Sequence, residues 1–348
     1  MQTVKLRSLF PHAGTNVTRL WLAPGAVRVG AVLGHNILGN GAGLCWDTGA
    51  GRVLWETALH DEVETFPEPD FDRDLTRAVY PVYSEAAEDG QLARLTVRDL
   101  LSGDEVSLGR VPTDIPVMAR DGRCVIAVAD RNRELRRWSL PPRLGVGGSG
   151  SDSGGAFAPD HEWVIRLPRG GRRLIDQVGQ DVTALTASPD GKCVAAGRRN
   201  GSVVVWNIGN RRTVMTAPAL KSTAYLPLSV RRLAFSPDGI RLVAVRGRRV
   251  KKAVPFTATV WAVSEGKQLK GPKETVSVNG TAFGPDGRTL LTAREDGTIG
   301  VWDTTTWKLN REYAWDIGSL FSVALAPDGL TGAAGGEDGQ IVIWDVDS

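Results

Sequence analysis

The chain has 348 residues, enough for one large domain or two or three ordinary ones, and its 42% hydrophobic and 23% charged residues suit a globular protein with a sizeable core. A formal net charge of +3 is too small to argue for nucleic acid or a membrane surface, and no run of about 18 apolar residues is present to span a bilayer. Three widely separated cysteines, Cys45, Cys124 and Cys193, form no CxxC pair, so they suggest neither a disulfide framework nor a zinc site and fit a reducing, cytoplasmic compartment.

The opening MQTVKLRSLF lacks the long apolar core and small-residue cleavage site of a signal peptide. Val4 and Leu6 alternate with Lys5 and Arg7, which predicts an outer strand over residues 3–10. From Val17, VTRLWLAPGAVRVGAV and GAGLCWDTGAGRVLWE set short apolar runs between turn signals, with Trp46-Asp47 closing the third run. Gly-rich GHNILGNGAG (34–43) falls where a hairpin loop is expected, and no helix follows it to supply a phosphate cradle. From Val63 a second unit keeps Pro69-Asp70 and Asp89-Gly90, with Val97 or Arg98 where the first unit has tryptophan. A third, from Ile115, keeps Asp121-Gly122 and Trp138. A Gly/Ser-rich loop at 144–156 follows, and HEWVIRLP reads as the fourth strand of that unit. AFAPD within 141–170 leaves open a further degenerate unit.

The second half repeats the frame clearly. VTALTASPDGKCVAAGRRNGSVVVWNI, VRRLAFSPDGIRLVAVRG…TATVWAV, VNGTAFGPDGRTLLTAREDGTIGVWDT and LFSVALAPDGLTGAAGGEDGQIVIWDV place Trp206, Trp261, Trp302 and Trp344 at a period of about 40 residues, with one insertion. In each, a first run ends in Pro-Asp-Gly, where proline fixes φ and glycine accepts positive φ. In three, a second run ends in Asn-Gly or Asp-Gly, a hairpin signal. A third run ends in tryptophan and a weaker fourth follows. This gives four antiparallel strands per repeat, a sheet that must stack on neighbours to bury its faces.

SPDG, EDG and a closing WD at this period resemble the WD-repeat β-propellers, with a bacterial-type WD-repeat protein as the expected relative. The resemblance implies an all-β, seven-bladed propeller of four-stranded antiparallel blades in a single domain over 1–348. Clear repeats occupy 182–348 and degenerate ones 17–140. It also implies that residues 3–10 pair beside 340–346, completing the last blade.

The recurring Trp46, Trp138, Trp206, Trp261, Trp302 and Trp344 then read as packing between blades rather than as a stacking platform. In the family the turn aspartate joins a hydrogen-bonded chain through a histidine, a Ser or Thr and the tryptophan. Here Gly179-Gln180 replaces Gly-His ahead of the fourth repeat, and His12 and His60 are loose candidates only. Asp296 and Asp338 are therefore expected to cap local turn amides. Cys124 and Cys193, matched at the start of second strands, read as small packing residues.

No GxSxG, HExxH, Cys-His pair or phosphate loop occurs, so no catalytic residue, metal site or cofactor is assigned. Charge is more informative. Loops expected on one face, the top, carry Arg131, Arg133, Arg198, Arg199, Arg246, Arg248, Arg249, Lys251, Lys252 and Arg294, with Arg169, Arg172 and Arg173 in a connection nearby. Acidic residues gather instead in HDEVETFPEPDFDRD (60–74). The reading is a monomeric, non-catalytic scaffold for a protein or peptide partner, with an acidic surface meeting the basic sector. The alternative is a propeller enzyme of the quinoprotein type, because LCWDTGAGRVLWETAL (44–59) is similar to one repeat of the pyrroloquinoline quinone enzymes.

Overall fold

The computed structural model describes residues 2–5, 16–34, 41–59, 69–83, 93–111, 115–129, 134–142, 144, 164–166, 182–219, 229–247 and 256–346. Among them, 28 strands form seven four-stranded antiparallel sheets, six of them in sequential strand order. Blade 1 contains Asn16–Leu22, Arg28–Gly34, Gly41–Asp47 and Arg52–Leu59. Blade 2 contains Asp70–Phe71, Arg77–Tyr83, Ala93–Asp99 and Glu105–Val111. Blade 3 contains Pro116–Met118, Cys124–Ala129, Glu134–Ser139 and, as its fourth strand, Val164–Arg166. Blades 4 to 6 run from Val182 to Ala217, from Ser229 to Gln268 and from Val278 to Ala314. In blade 7, Ser322–Leu325, Thr331–Gly335 and Gln340–Asp345 are joined by Gln2–Lys5. That strand pairs Gln2 with Ile343 and Lys5 with Gln340, so the outer edge of the last repeat is covered by the start of the chain. No helix of the described residues is long and apolar enough to cross a membrane.

The ring is held by apolar layers between every pair of neighbouring blades. Val79, Leu95 and Leu108 of blade 2 pack with Val125 and Trp138 of blade 3. Blades 3 and 4 meet through Ile126, Leu135, Val194 and Trp206, and blades 4 and 5 through Val205, Met215, Leu242 and Trp261. Trp302 joins blade 6 to Val260 of blade 5, and Trp344 joins blade 7 to Ile299 of blade 6. Trp55 of blade 1 meets Phe71 and Tyr80 of blade 2, and Leu33 and Leu44 of blade 1 meet Ala333 and Ile341 of blade 7. Burial of a large apolar side chain contributes about 1.5–3 kcal/mol, so each layer adds substantially to stability.

The tryptophans share one register position. Trp138, Trp206, Trp261, Trp302 and Trp344 are nearly or fully buried opposite Val125, Val194, Leu242, Leu290 and Gly332, and half-buried Trp46 faces Val29. In blade 2, Ala78 faces Arg98, so arginine rather than Val97 holds the slot. Its guanidinium meets Glu105 at 2.7 Å, and Glu105 also accepts from the Tyr80 hydroxyl at 2.8 Å. A polar pair thus replaces the indole.

Two glycines allow close inter-blade approach. A Cβ on Gly197 would lie 2.4 Å from Val230 of blade 5, and one on Gly335 2.5 Å from Val17 of blade 1. Both sit near the end of a second strand, against the first strand of the next blade.

Candidate functional site: the channel and its two faces

The first strands of all seven blades line a central channel of about 600 Å³. Sequential antiparallel pairing puts the turns after first and third strands on one face, the bottom. The connections after second and fourth strands lie on the other, the top. In blades 1, 4, 5 and 6 the first strand is bulged just after a buried valine, at Val17, Val182, Val230 and Val278. A bulge turns the extra residue sideways, and here it reaches around the ring. Thr183 donates to the Val230 carbonyl at 2.7 Å, Arg231 to the Asn279 side chain at 2.6 Å, and Asn279 to the Leu320 carbonyl at 2.9 Å. Ser322 carries the series to the Val17 carbonyl at 2.9 Å. Arg231 also lies 4.0 Å over the ring of Phe256.

One side chain crosses the channel. Arg232 of blade 5 donates to the Thr18 carbonyl of blade 1 at 2.7 Å. Below it, buried Asp70 of blade 2 accepts from the Met118 amide of blade 3 at 2.8 Å. Burial raises the Asp70 pKa, while Arg19 and the surrounding N–H groups pull it down.

At the bottom every blade makes the same turn. The amides of Ala26, Leu75, Gly122, Gly191, Gly239, Gly287 and Gly329 each donate to the carbonyl three residues earlier. Those seven residues have positive φ, between 50° and 78°, which glycine adopts without strain and which Ala26 and Leu75 adopt despite their side chains. The second turn position is proline in blades 1, 4, 5, 6 and 7 (Pro24, Pro189, Pro237, Pro285 and Pro327) and arginine in blades 2 and 3 (Arg73 and Arg120). Aligning PVMARDGRC with LTASPDGKC exposes this exchange in the sequence.

A clamp joins blades on this face. Arg77 opens the second strand of blade 2 and donates to the Gly122 carbonyl at 2.8 Å and the Pro141 carbonyl at 3.0 Å, and also to the Pro142 carbonyl. Arg241 opens the same strand of blade 5 and donates to the Gly287 carbonyl at 2.9 Å and the Thr304 carbonyl at 3.3 Å. Each arginine grips the next blade's turn and the chain just beyond its third strand.

The expected basic sector on the top face divides. Arg131, Arg133, Arg248, Arg249, Lys251 and Lys252 lie outside the described residues, as do Arg169, Arg172, Arg173 and the acidic run except for 69–74. Arg199 is half-buried. Arg198, Arg246 and Arg294 are corrections to the expected surface, being only 7%, 5% and 5% exposed. They end, or nearly end, second strands, where alternation turns them inward rather than into the loop. Arg246 lies 5.2 Å from the Trp261 ring and donates to the Gly201 and Pro218 carbonyls of blade 4 at 3.3 and 3.2 Å. Burial lowers the pKa of Arg198 and of Arg246.

Arg294 pairs with buried Glu274 at 2.8 Å and also meets Glu312. Glu274 accepts from the Trp302 indole at 3.0 Å and from the Thr292 hydroxyl. The polar chain whose histidine is missing is therefore present in blade 6, with glutamate ahead of the first strand in its place. Burial raises the Glu274 pKa, opposed by Thr292, Arg294 and Trp302. Asp296 caps locally, accepting from the Thr298 amide at 3.1 Å and its hydroxyl at 2.7 Å. Asp338 takes φ 54° in the turn Glu337–Gly339.

The segment 44–59 forms two strands and their turn, with Trp55 packed 5.7 Å from Phe71 and 4.9 Å from Tyr80. Its tryptophans belong to the inter-blade layers. Cys45 is buried and its thiol pKa is pushed up to about 12 by burial. Cys124 and Cys193 are half-buried at the start of their second strands, and Arg137 Nε approaches the Cys124 sulfur at 3.2 Å. Among the described residues, no group of three His, Cys, Asp or Glu side chains is placed to hold a metal ion.

The family model described as "WD domain, G-beta repeat" matches residues 173–207, 264–303 and 315–345, which end at or just past Trp206, Trp302 and Trp344. Among curated proteins the chain is similar to "Protein LST8 homolog" of Drosophila melanogaster, at 27% identity over 39% of this chain and 44% of that one. It is also similar to "Small ribosomal subunit protein RACK1" of Schizosaccharomyces pombe, at 31% over 36% and 38%, and of Caenorhabditis elegans, at 24% over 36% and 37%. The matches thus span less than half the length of these relatives. Three stretches of this chain thus carry WD repeats, and its seven four-stranded sheets form the β-propeller that the repeat grammar implies.

Proposed function

We propose that this chain is a non-catalytic interaction scaffold, cytoplasmic and monomeric, that holds a protein or peptide partner on its top face. The observation that carries the reading is the set of seven apolar layers. The marked residues of the repeats serve ring packing, which makes a stiff frame from which loops can meet a partner. The relatives support it, one group being named as a small ribosomal subunit protein, a component of a larger assembly.

The reading of an acidic partner rests on Arg131, Arg133, Arg248, Arg249, Lys251 and Lys252, which lie outside the described residues, and on half-buried Arg199. Arg198, Arg246 and Arg294 support the blades beneath. Charge reversal of Arg248, Arg249, Lys251 and Lys252 tests it in a pull-down from native lysate with quantitative mass spectrometry. Loss of captured partners is expected. An unchanged capture profile removes the basic sector from the reading.

A further inference from the structure

The bottom mouth of the channel is asymmetric. At one repeated turn position five blades present proline, and the adjacent blades 2 and 3 present Arg73 and Arg120. Both arginines line the channel and both are exposed to its water. Burial lowers the Arg120 pKa, Asp70 draws it back up, and Arg73 lowers it further, so Arg120 lies within electrostatic reach of both. Neither guanidinium is ion-paired to a described residue. Two acids of the same turns are engaged in local hydrogen bonds. Asp121 accepts from the Arg123 amide at 3.0 Å, and Asp72 from the Thr76 and Arg77 amides at 2.8 and 2.9 Å. Asp70 lies deeper, held by the Met118 amide, and it shares its charge between Arg19 and Arg120.

The two turns are also fixed to each other. The Arg73 amide donates to the Arg120 carbonyl at 3.0 Å, and Arg77 ties the same pair of turns through Gly122. Two like charges held side by side on a tied frame form a fork whose repulsion an anion relieves, with little ordering left to do on binding. Arginine's planar donors suit oxyanions. Apolar Met118, Phe71 and Phe235 line the channel behind the fork, and Arg232 crosses its upper part to reach Thr18.

We propose that this mouth is a second binding site, which takes a doubly negative group of a partner polypeptide between Arg73 and Arg120. Two neighbouring carboxylates and one phosphoryl group carry the same charge and the same oxyanion geometry. The peptide occupant rests on the scaffold reading, but the site lies on the opposite face from the basic loops.

The test uses the full chain and three fluorescein-labelled peptides, measured by anisotropy. One carries two adjacent glutamates, one a phosphoserine in their place, and one two glutamines. The wild type is expected to prefer at least one acidic peptide over the glutamine peptide, and the preferred probe identifies the source of the charge. Arg73→Gln with Arg120→Pro, which gives position 120 the residue of five other blades, should weaken that binding by about tenfold or more. Arg212→Gln, an exposed cation on the same face, should not. If the double variant does not fold, Arg120→Gln alone keeps the main-chain bond between the turns and gives the same readout. No preference over the glutamine peptide, or unchanged affinity in a folded fork variant, overturns the proposal. A parallel pull-down in which native partners persist then leaves the scaffold reading standing.

Discussion

Trp302 and Glu274 meet through a 3.0 Å hydrogen bond across 28 residues of chain, and Arg294 closes on the same carboxylate from its other oxygen. Glu274 precedes the first strand of blade 6, Thr292 and Arg294 lie on its second and Trp302 on its third. One carboxylate therefore fixes how the blade 5–6 connection sits on two strands. Glu274→Ala would leave a buried guanidinium without its main partner. We expect a loss of about 3–5 kcal/mol, measured by urea unfolding. Glu274→Gln, which keeps the indole and hydroxyl contacts, should cost less.

The arginine clamps on the bottom face act between blades. Arg77→Ala and Arg241→Ala each remove charge-assisted bonds to carbonyls of the next blade. Each should cost about 1.5–3 kcal/mol. The sites are three blades apart, so the double variant should be close to additive in thermal or urea unfolding.

Gly332 lies under the Trp344 indole, where a Cβ would come within 2.4 Å of its six-membered ring. Gly332→Ala should force the indole out of the blade 6–7 layer at about 1–3 kcal/mol. Trp344 fluorescence should report the movement. To isolate that signal, the other tryptophans are held constant and the variant is compared with a Trp344→Phe background.

Asp70 gives the stability a pH dependence of known sign. Its pKa is raised in the fold, so its favourable contribution is fully present below the unfolded value and is lost as pH rises through the folded value. Asp70→Asn cannot ionise. Its melting temperature relative to wild type should therefore improve as pH is raised from about 4 towards neutrality, and a flat difference across that range would show that burial does not govern this carboxyl.

The pairing of Gln2–Lys5 with Gln340–Ile343 covers the last repeat's edge. Deleting residues 1–5 should lower the melting temperature and promote dimers through the bared strand, read by light scattering. A deletion variant as stable and monodisperse as the full chain would show that the pairing adds nothing.

The repeat frame was legible because turn chemistry and side-chain size are local. Pro-Asp-Gly marks the bottom turns, Asn-Gly and Asp-Gly the hairpins, and tryptophan the third strand. Burial of Arg198, Arg246 and Arg294 was not legible. Whether a cation at a strand end points into the loop or under it depends on one residue of register, and that register comes from pairing with Val182, Val230 and Val278. Glu274 was hidden for a similar reason. It sits in GPKETVS, a segment without period, and its role appears only when Thr292 and Trp302 are brought to it. In blade 2, the choice of Arg98 over Val97 for the tryptophan slot needed the Ala78 pairing.

Arg232, anchored on Thr18, puts a cation across the axis of the disc nearer its upper end. The channel therefore differs when seen from its two ends: a group entering from below passes the Arg73 and Arg120 turns first, and one entering from above meets the bridging guanidinium first. A rotationally repeated frame thus acquires a polarity along its axis that the repeat itself does not encode.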